Sequence, residues 1–182
     1  MAKVIFGMAM SLDGFIQDRD GSVGRLYPDL AGLRETEMLQ NEMRLTGAVV
    51  MGRHTYDMAQ GDYTGYEFQV PIFVVTHHPP EQVAKGENEN LKFHFVDGIE
   101  PALAQAKAAA GDRSVTVVGG ANLAQELMKA GLIDEIQIGI VPVLLGDGLR
   151  LFDHLGTEPI ELEQMQVFEA PGATYLYYRV VK

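Results

Sequence analysis

The octet Val49-Val50-Met51-Gly52-Arg53-His54-Thr55-Tyr56 runs from an apolar stretch through one glycine directly into an arginine and a hydroxyl. A buried strand that stops at Gly52, with a helix starting within a residue or two, gathers backbone N–H groups, a guanidinium and a hydroxyl around one point. Free helix-start donors and the helix dipole both favour negative charge there. Arg53 can hold a phosphate through two parallel hydrogen bonds. The plainer reading is a turn capped by Thr55, with Arg53 in water. A second corner, Val117-Val118-Gly119-Gly120-Ala121-Asn122-Leu123, puts a glycine pair between a strand and a helix, where backbone can approach a ligand with no Cβ in the way. The G-x-G-x-x-G fingerprint and the P-loop lysine are both missing, so the motif is not that of a doubly wound dinucleotide domain.

Proton chemistry would fall to carboxylates. Asp13, in Ala9-Met10-Ser11-Leu12-Asp13-Gly14, acts as a general acid near neutral pH only if its surroundings raise a pKa that starts near ~4. The competing reading is a turn aspartate before Gly14. Glu35 is the other acid, equally readable as a first-turn residue favoured by the helix dipole. Thr76-His77-His78 closes a strand ahead of Pro79-Pro80. Adjacent residues on an extended chain point to opposite sides, and no cysteine or carboxylate cluster completes a metal site there. No metal is expected.

The elements that must position these residues follow from periodicity. Val4–Met10 reads as a doubly buried central strand, followed by a turn-rich loop from Asp18 to Gly24. A helix is expected over Ala31–Leu45, with Glu35, Leu39 and Met43 on one face and Gly47 closing it. Strands are expected at Ala48–Met51, Pro71–Thr76, Phe93–Val96, Ser114–Val118 and Asp134–Val141, and a short helix ends near Gly61. Helices are expected at Ile99–Ala110 and Ala121–Ala130. Ile160–Val181 reads as two antiparallel strands around Pro171-Gly172. Strand–helix alternation closing on such a pair predicts an α/β sandwich around a mostly parallel mixed sheet.

Composition fits one domain over residues 1–182, long enough to bury roughly 70% of its unfolded surface. Zero cysteines excludes a disulfide framework and thiolate metal sites, which points to a reducing cytoplasm. A formal charge of −11 argues against general nucleic-acid binding. No run approaches the ~20 apolar residues of a membrane span, and the start Met-Ala-Lys-Val-Ile-Phe reads as a strand rather than a signal peptide.

Five stretches, in order, carry a family resemblance: Ser11-Leu12-Asp13-Gly14 with Ala9 before it, the Gly52 octet, Phe73-Val74-Val75-Thr76, Val117 to Leu123, and Pro142-Val143-Leu144-Leu145-Gly146-Asp147-Gly148. Together they resemble the dihydrofolate-reductase-like superfamily. The first and last are similar to its riboflavin-biosynthesis deaminase–reductase branch, in a stand-alone reductase domain with no deaminase elements attached. The resemblance implies a three-layer sandwich, NADPH as cofactor, and a reductase similar to 5-amino-6-(5-phosphoribosylamino)uracil reductases or dihydrofolate reductases. Its substrate would be a small planar pterin- or pyrimidine-like ring or an imine. By the same resemblance Gly52, Arg53, Thr55, Gly119, Gly120, Ala121, Asn122 and Leu123 meet the cofactor, with a cis peptide joining the two glycines. Thr76 and His77 flank its adenosine end, and Ala9 and Ile16 frame the nicotinamide. Ser11, Leu144 and Gly146 border the substrate, and Asp13 or Glu35 steers protonation. Counting back from Arg53 to the folate enzymes' acid lands on Thr36, one step from Glu35, which argues against folate reduction. A homodimer is implied as well. The rival is a non-catalytic NADP(H)-binding or sensor protein of the same fold.

Overall fold

The computed structural model describes residues 2–182. At its centre eight strands lie side by side: Phe93–Val96 (β5), Ile72–Val75 (β4), Thr46–Gly52 (β3), Ser114–Val118 (β6), Val4–Ser11 (β1), Glu135–Val141 (β7), Ala173–Val180 (β10) and Leu162–Ala170 (β9). The first six run parallel, and β10 and β9 add an antiparallel pair on one side. Because β6 inserts between β3 and β1, the chain order reverses there. The exits of β1, β3, β4, β6 and β7 then share one edge of the sheet, the place where open α/β sheets take ligands.

Side chains of opposite parity build two cores. Val4, Phe6, Val50, Val117 and Ile136 face the helices Ile99–Ala110 (α4) and Ala121–Lys129 (α5), whose alanines and leucines sit flat on the sheet. On the other face Val49, Met51, Ile72, Val74 and Phe93 pack against Tyr56, Tyr63, Phe68 and Leu91. This is the expected three-layer α/β arrangement. Tyr56 anchors the second core: its ring stacks on Tyr63 at 5.5 Å and meets the edge of Phe93 at 5.2 Å. Its hydroxyl accepts the Ala84 N–H at 2.7 Å, which fastens the loop between β4 and β5 to this core.

The expected Ala31–Leu45 helix is two, Leu30–Arg34 (α1) and Glu37–Leu45 (α2). Thr36 divides them. Its hydroxyl donates to the Leu33 carbonyl at 2.7 Å and accepts the Leu39 N–H at 3.3 Å, so it ends one helix and caps the next. Glu35, at the α1 C-terminus, therefore shares no helical face with Leu39 and Met43. Gly47 is not a helix terminator. It lies inside β3, where an added Cβ would stand 2.7 Å from the Ala110 Cα; glycine lets the strand touch the last turn of α4. A small ribbon pairing Phe15–Asp18 (β2) with Gly148–Arg150 (β8) was not expected, because both strands are too short to show alternation. The terminal pair around Pro171-Gly172 is as expected.

Candidate functional site

β3 and β6 are paired neighbours, with Val50 opposite Val117, so the loops that leave them start side by side. A Cβ on Gly52 would lie 4.0 Å from the Gly120 nitrogen. One on Gly119 would lie 2.8 Å from Thr55 Oγ1 and 3.2 Å from Met8 Cε of β1. Gly119 also has φ 61°, in the region that favours glycine, and the Gly119–Gly120 peptide is cis. The two glycine corners thus form one backbone cradle that side chains would fill.

The cradle opens onto the start of α5. Gly120 is the N-cap residue and no side chain caps the helix, so the first-turn N–H groups of Ala121, Asn122 and Leu123 await an external acceptor. Ala121 and Leu123 are buried, Leu123 within the core, and offer only backbone; Asn122 is exposed. The helix after Gly52, Arg53–Asp57 (α3), is a single turn and adds little dipole. Thr55 does not cap it, since no side chain bonds its N-terminus. The hydroxyl faces Gly119 instead.

Arg53 is not loose in water. Its Nε donates to both Asp57 carboxylate oxygens at 2.9 and 3.0 Å, and its Nη1 donates to the His78 carbonyl. That carbonyl also accepts the Thr76 hydroxyl at 3.1 Å. Arg53 thereby ties the β3 exit to the β4 exit, where His77 Nδ1 lies 2.6 Å from Asp97 Oδ1. Beside this knot a hollow of about 550 Å³ is bounded by Thr76, His77 and the start of α4 at Ile99 and Glu100.

On the other side of the cradle lies a cleft of about 380 Å³. Gly7, Met8, Thr55, Gly119 and Gly120 form one part of its lining. Ile16, Gln17 and His54 form another, the last two with side-chain nitrogens 3.5 Å apart. Tyr27, Leu30, Tyr66, Glu67 and Phe68 complete an aromatic wall. Burial pushes the Tyr66 phenol well above its usual range, with the Glu67 charge adding to the effect.

The remaining expected site residues fall elsewhere. Asp13 Oδ1 accepts the Ser11 hydroxyl at 2.6 Å and the Leu145 N–H at 3.1 Å, and Oδ2 accepts the Gly146 N–H at 2.7 Å. The Ser11 bond, with help from the two amides and against some desolvation, lowers the Asp13 pKa to about 2. The carboxylate is thus a clasp between two loops, held ionised, and does not line the cleft. Ser11 is fully buried, its oxygen also taking the Phe15 N–H at 2.9 Å. Leu144 is 69% exposed and Gly146 lies in the clasp, so these three do not line the cleft either. Ala9 packs with Leu26 and Val141, leaving Gly7 and Met8 as the β1 residues at the cleft. Glu35 is exposed and outside it.

Sequence reasoning missed Gln17, Tyr27, His54, Tyr66 and Glu67. His54 sits inside the octet, and Tyr66 to Phe68 lie in a loop conspicuous for its aromatics, so those signals were available. Nothing local marks Gln17 or Tyr27.

No helix among the described residues is long and apolar enough to cross a membrane. The family model of the RibD C-terminal domain matches residues 2–174. Protein YwjB of Bacillus subtilis (strain 168) is 29% identical over 156 residues, covering 86% of each chain. The riboflavin biosynthesis protein RibD of Corynebacterium ammoniagenes is 29% identical over 163 residues, 83% of this chain and 46% of that one. The chain therefore spans just under half of that relative. Among solved structures, a candidate riboflavin biosynthesis protein from Shewanella sp. PV-4 superposes with a TM-score of 0.78 at 25% identity, each chain covered in full.

Proposed function

The chain belongs to the RibD C-terminal domain family, and from that premise we propose that it is an NADPH-dependent reductase of a small planar heterocycle or imine. The observation that carries this reading is the cradle in which Gly52, Thr55, Gly119 and Gly120 meet at the uncapped start of α5. Its shape and its unused donors fit a pyrophosphate.

The N–H groups of Ala121, Asn122 and Leu123 and the Thr55 hydroxyl receive the phosphates. Arg53, Thr76 and His77 border the adenosine end, and Arg53 keeps guanidinium donors beyond those used on Asp57 and His78. Met8 and Ile16 flank the ring end of the cleft, with the aromatic wall across from them. NADPH, when bound, supplies a hydride to an electron-poor carbon of a C=N or C=C unit, and the adjoining atom takes a proton. Asp13 is held ionised in its clasp, so it does not supply that proton. The protein contributes orientation and partial exclusion of water. A cytoplasmic location suits a cysteine-free chain using this cofactor.

Because Asp13 and Glu35 both lie outside the cleft, a second reading has support, a sensor that binds NADP(H) without turnover. Mixing the protein with NADPH and a panel of pterins, pyrimidines and cyclic imines, and following loss of the reduced nicotinamide's near-ultraviolet absorbance, separates the two. Turnover on at least one acceptor, with NADPH preferred to NADH, is expected. Saturable binding with no turnover on any acceptor favours the sensor, and no dinucleotide binding contradicts both. Arg53→Glu is expected to raise the KM for NADPH about tenfold or more, equivalent to roughly 1.4 kcal/mol.

A further inference from the structure

The reductase reading leaves its substrate open, and the charge pattern of the cleft narrows it. Resting on that reading for the site, we propose that Glu67 selects the substrate, which is a phosphate-free planar ring presenting an N–H edge, neutral or cationic.

Among the described residues Glu67 is the only carboxylate lining the cleft, and no lysine or arginine lines it. The Glu67 side chain is 24% exposed, between the buried Phe68 and the half-buried Tyr66. Its Oε2 accepts one hydrogen bond, from Arg34 Nη2 at 3.2 Å. Its other oxygen takes none from the described residues. Arg34 is 47% exposed and lies outside the cleft, bordering a neighbouring hollow with Tyr63 and Thr64; Glu67 stands on the wall between the two and lines both. An ion pair of that exposure contributes at most about 1 kcal/mol, so it yields to a better donor.

The second Glu67 oxygen is open to water, since the Tyr177 hydroxyl is the one sealed side-chain polar atom without a partner among the described residues. An in-plane N–H donor of a bound ring replaces that water with a charge-assisted hydrogen bond. Ring amines, amidine edges and protonated ring nitrogens supply that donor in the plane of a heterocycle, and the flat faces of such a ring suit the walls of Tyr27, Tyr66 and Phe68. A phosphoribosyl group has the opposite chemistry. Its dianion would enter a cleft that offers a carboxylate and neither lysine nor arginine, with His54 as the one imidazole in the lining, so repulsion and desolvation act together against it. The phosphoribosylamino-pyrimidine of the resembled reductases is therefore a poor fit for this chain.

The test uses two probes, 2,4-diaminopteridine and 5-amino-6-(5-phosphoribosylamino)uracil, titrated calorimetrically into the full chain with and without saturating NADP⁺. Wild type is expected to prefer the diaminopteridine. Glu67→Gln is expected to weaken that probe about ten- to a hundredfold, the range of a charge-assisted hydrogen bond, while NADP⁺ affinity stays within about twofold. Arg34→Ala breaks the same ion pair but keeps the carboxylate, and is expected to retain the probe. The proposal is overturned if the phosphoribosyl compound binds wild type more tightly, or if Glu67→Gln changes nothing. It is also overturned if Arg34→Ala loses the probe as fully as Glu67→Gln, which would make the pair a loop strut. Failure to bind NADP⁺ contradicts the reductase reading alone, since the Glu67 comparison is read equally on the dinucleotide-free protein.

Discussion

Thr55 and Asp13 are both polar residues in short turns, and the structure gives them opposite work. Thr55 faces the glycine cradle and caps nothing, so its hydroxyl is free for a ligand. Thr55→Val keeps shape and removes that hydroxyl; it is expected to weaken NADPH by roughly tenfold with little change in stability, measured by titration and by thermal unfolding. Asp13 is spent on Ser11, Leu145 and Gly146. Its folded pKa of about 2 lies below the ordinary 3.8, so the clasp stabilises the fold above about pH 4 and fades as pH falls from there through 2. Asp13→Asn is expected to flatten the acid limb of an unfolding curve in that window and to leave kcat within about threefold. A hundredfold loss of kcat, the scale of general acid–base catalysis, would instead make Asp13 the proton donor. The corner residues were legible in the sequence because strand, glycine and helix are short-range patterns. The loop carrying Tyr66, Glu67 and Phe68 was legible as aromatic but not as part of the site, and Gln17 and Tyr27 were not legible at all, since tertiary contacts such as the Arg34–Glu67 pair, 33 residues apart, are what gather the cleft.

Among elements, the parallel strands and the terminal pair were readable from apolar runs and alternation. The break between α1 and α2 was not, because apolar spacing continued across Thr36 while its hydroxyl satisfied backbone groups on both sides. Gly47 misled for a related reason: a glycine after a helix looks like a terminator unless the helix it touches, α4, is already in view. α2 also carries Glu42, whose carboxyl burial pushes up to about 7 from an ordinary 4.5. A raised folded pKa in an acid means stability is greatest below about pH 4.5 and declines as pH rises through 7. Glu42→Gln is expected to remove that decline and to stabilise the protein at pH 8 by no more than about 3 kcal/mol, read from urea midpoints at pH 5 and pH 8. On β10, the Tyr177 hydroxyl is buried with no partner among the described residues. Tyr177→Phe is accordingly expected to be neutral or stabilising by up to about 1 kcal/mol.

For the whole molecule, the reversal of strand order at β6 decides where the chemistry sits. It brings the β1, β3 and β6 exits together, so motifs far apart in the chain share one cradle. The order of those motifs was readable from the sequence; their convergence needed the topology. The same sheet ends on β9, whose outer side is unpaired and whose Leu162, Met165 and Val167 are 40–49% exposed. Such an edge invites pairing with another strand, and we propose a homodimer through it. Sedimentation equilibrium is expected to give twice the 20.0 kDa chain mass, reduced to one chain by Val167→Lys; a monomeric wild type contradicts this.

The claim on which the account rests is that the glycine cradle holds a reduced dinucleotide, and Gly119 tests it most directly. Calorimetric titration of NADPH into wild type and Gly119→Val, with folding of the variant checked by circular dichroism, is the measurement. Saturable binding to wild type, tighter than for NADH and weakened at least about tenfold in the folded variant, is the predicted result. A wild type that ignores NADPH, or a folded variant that binds it equally well, contradicts the account.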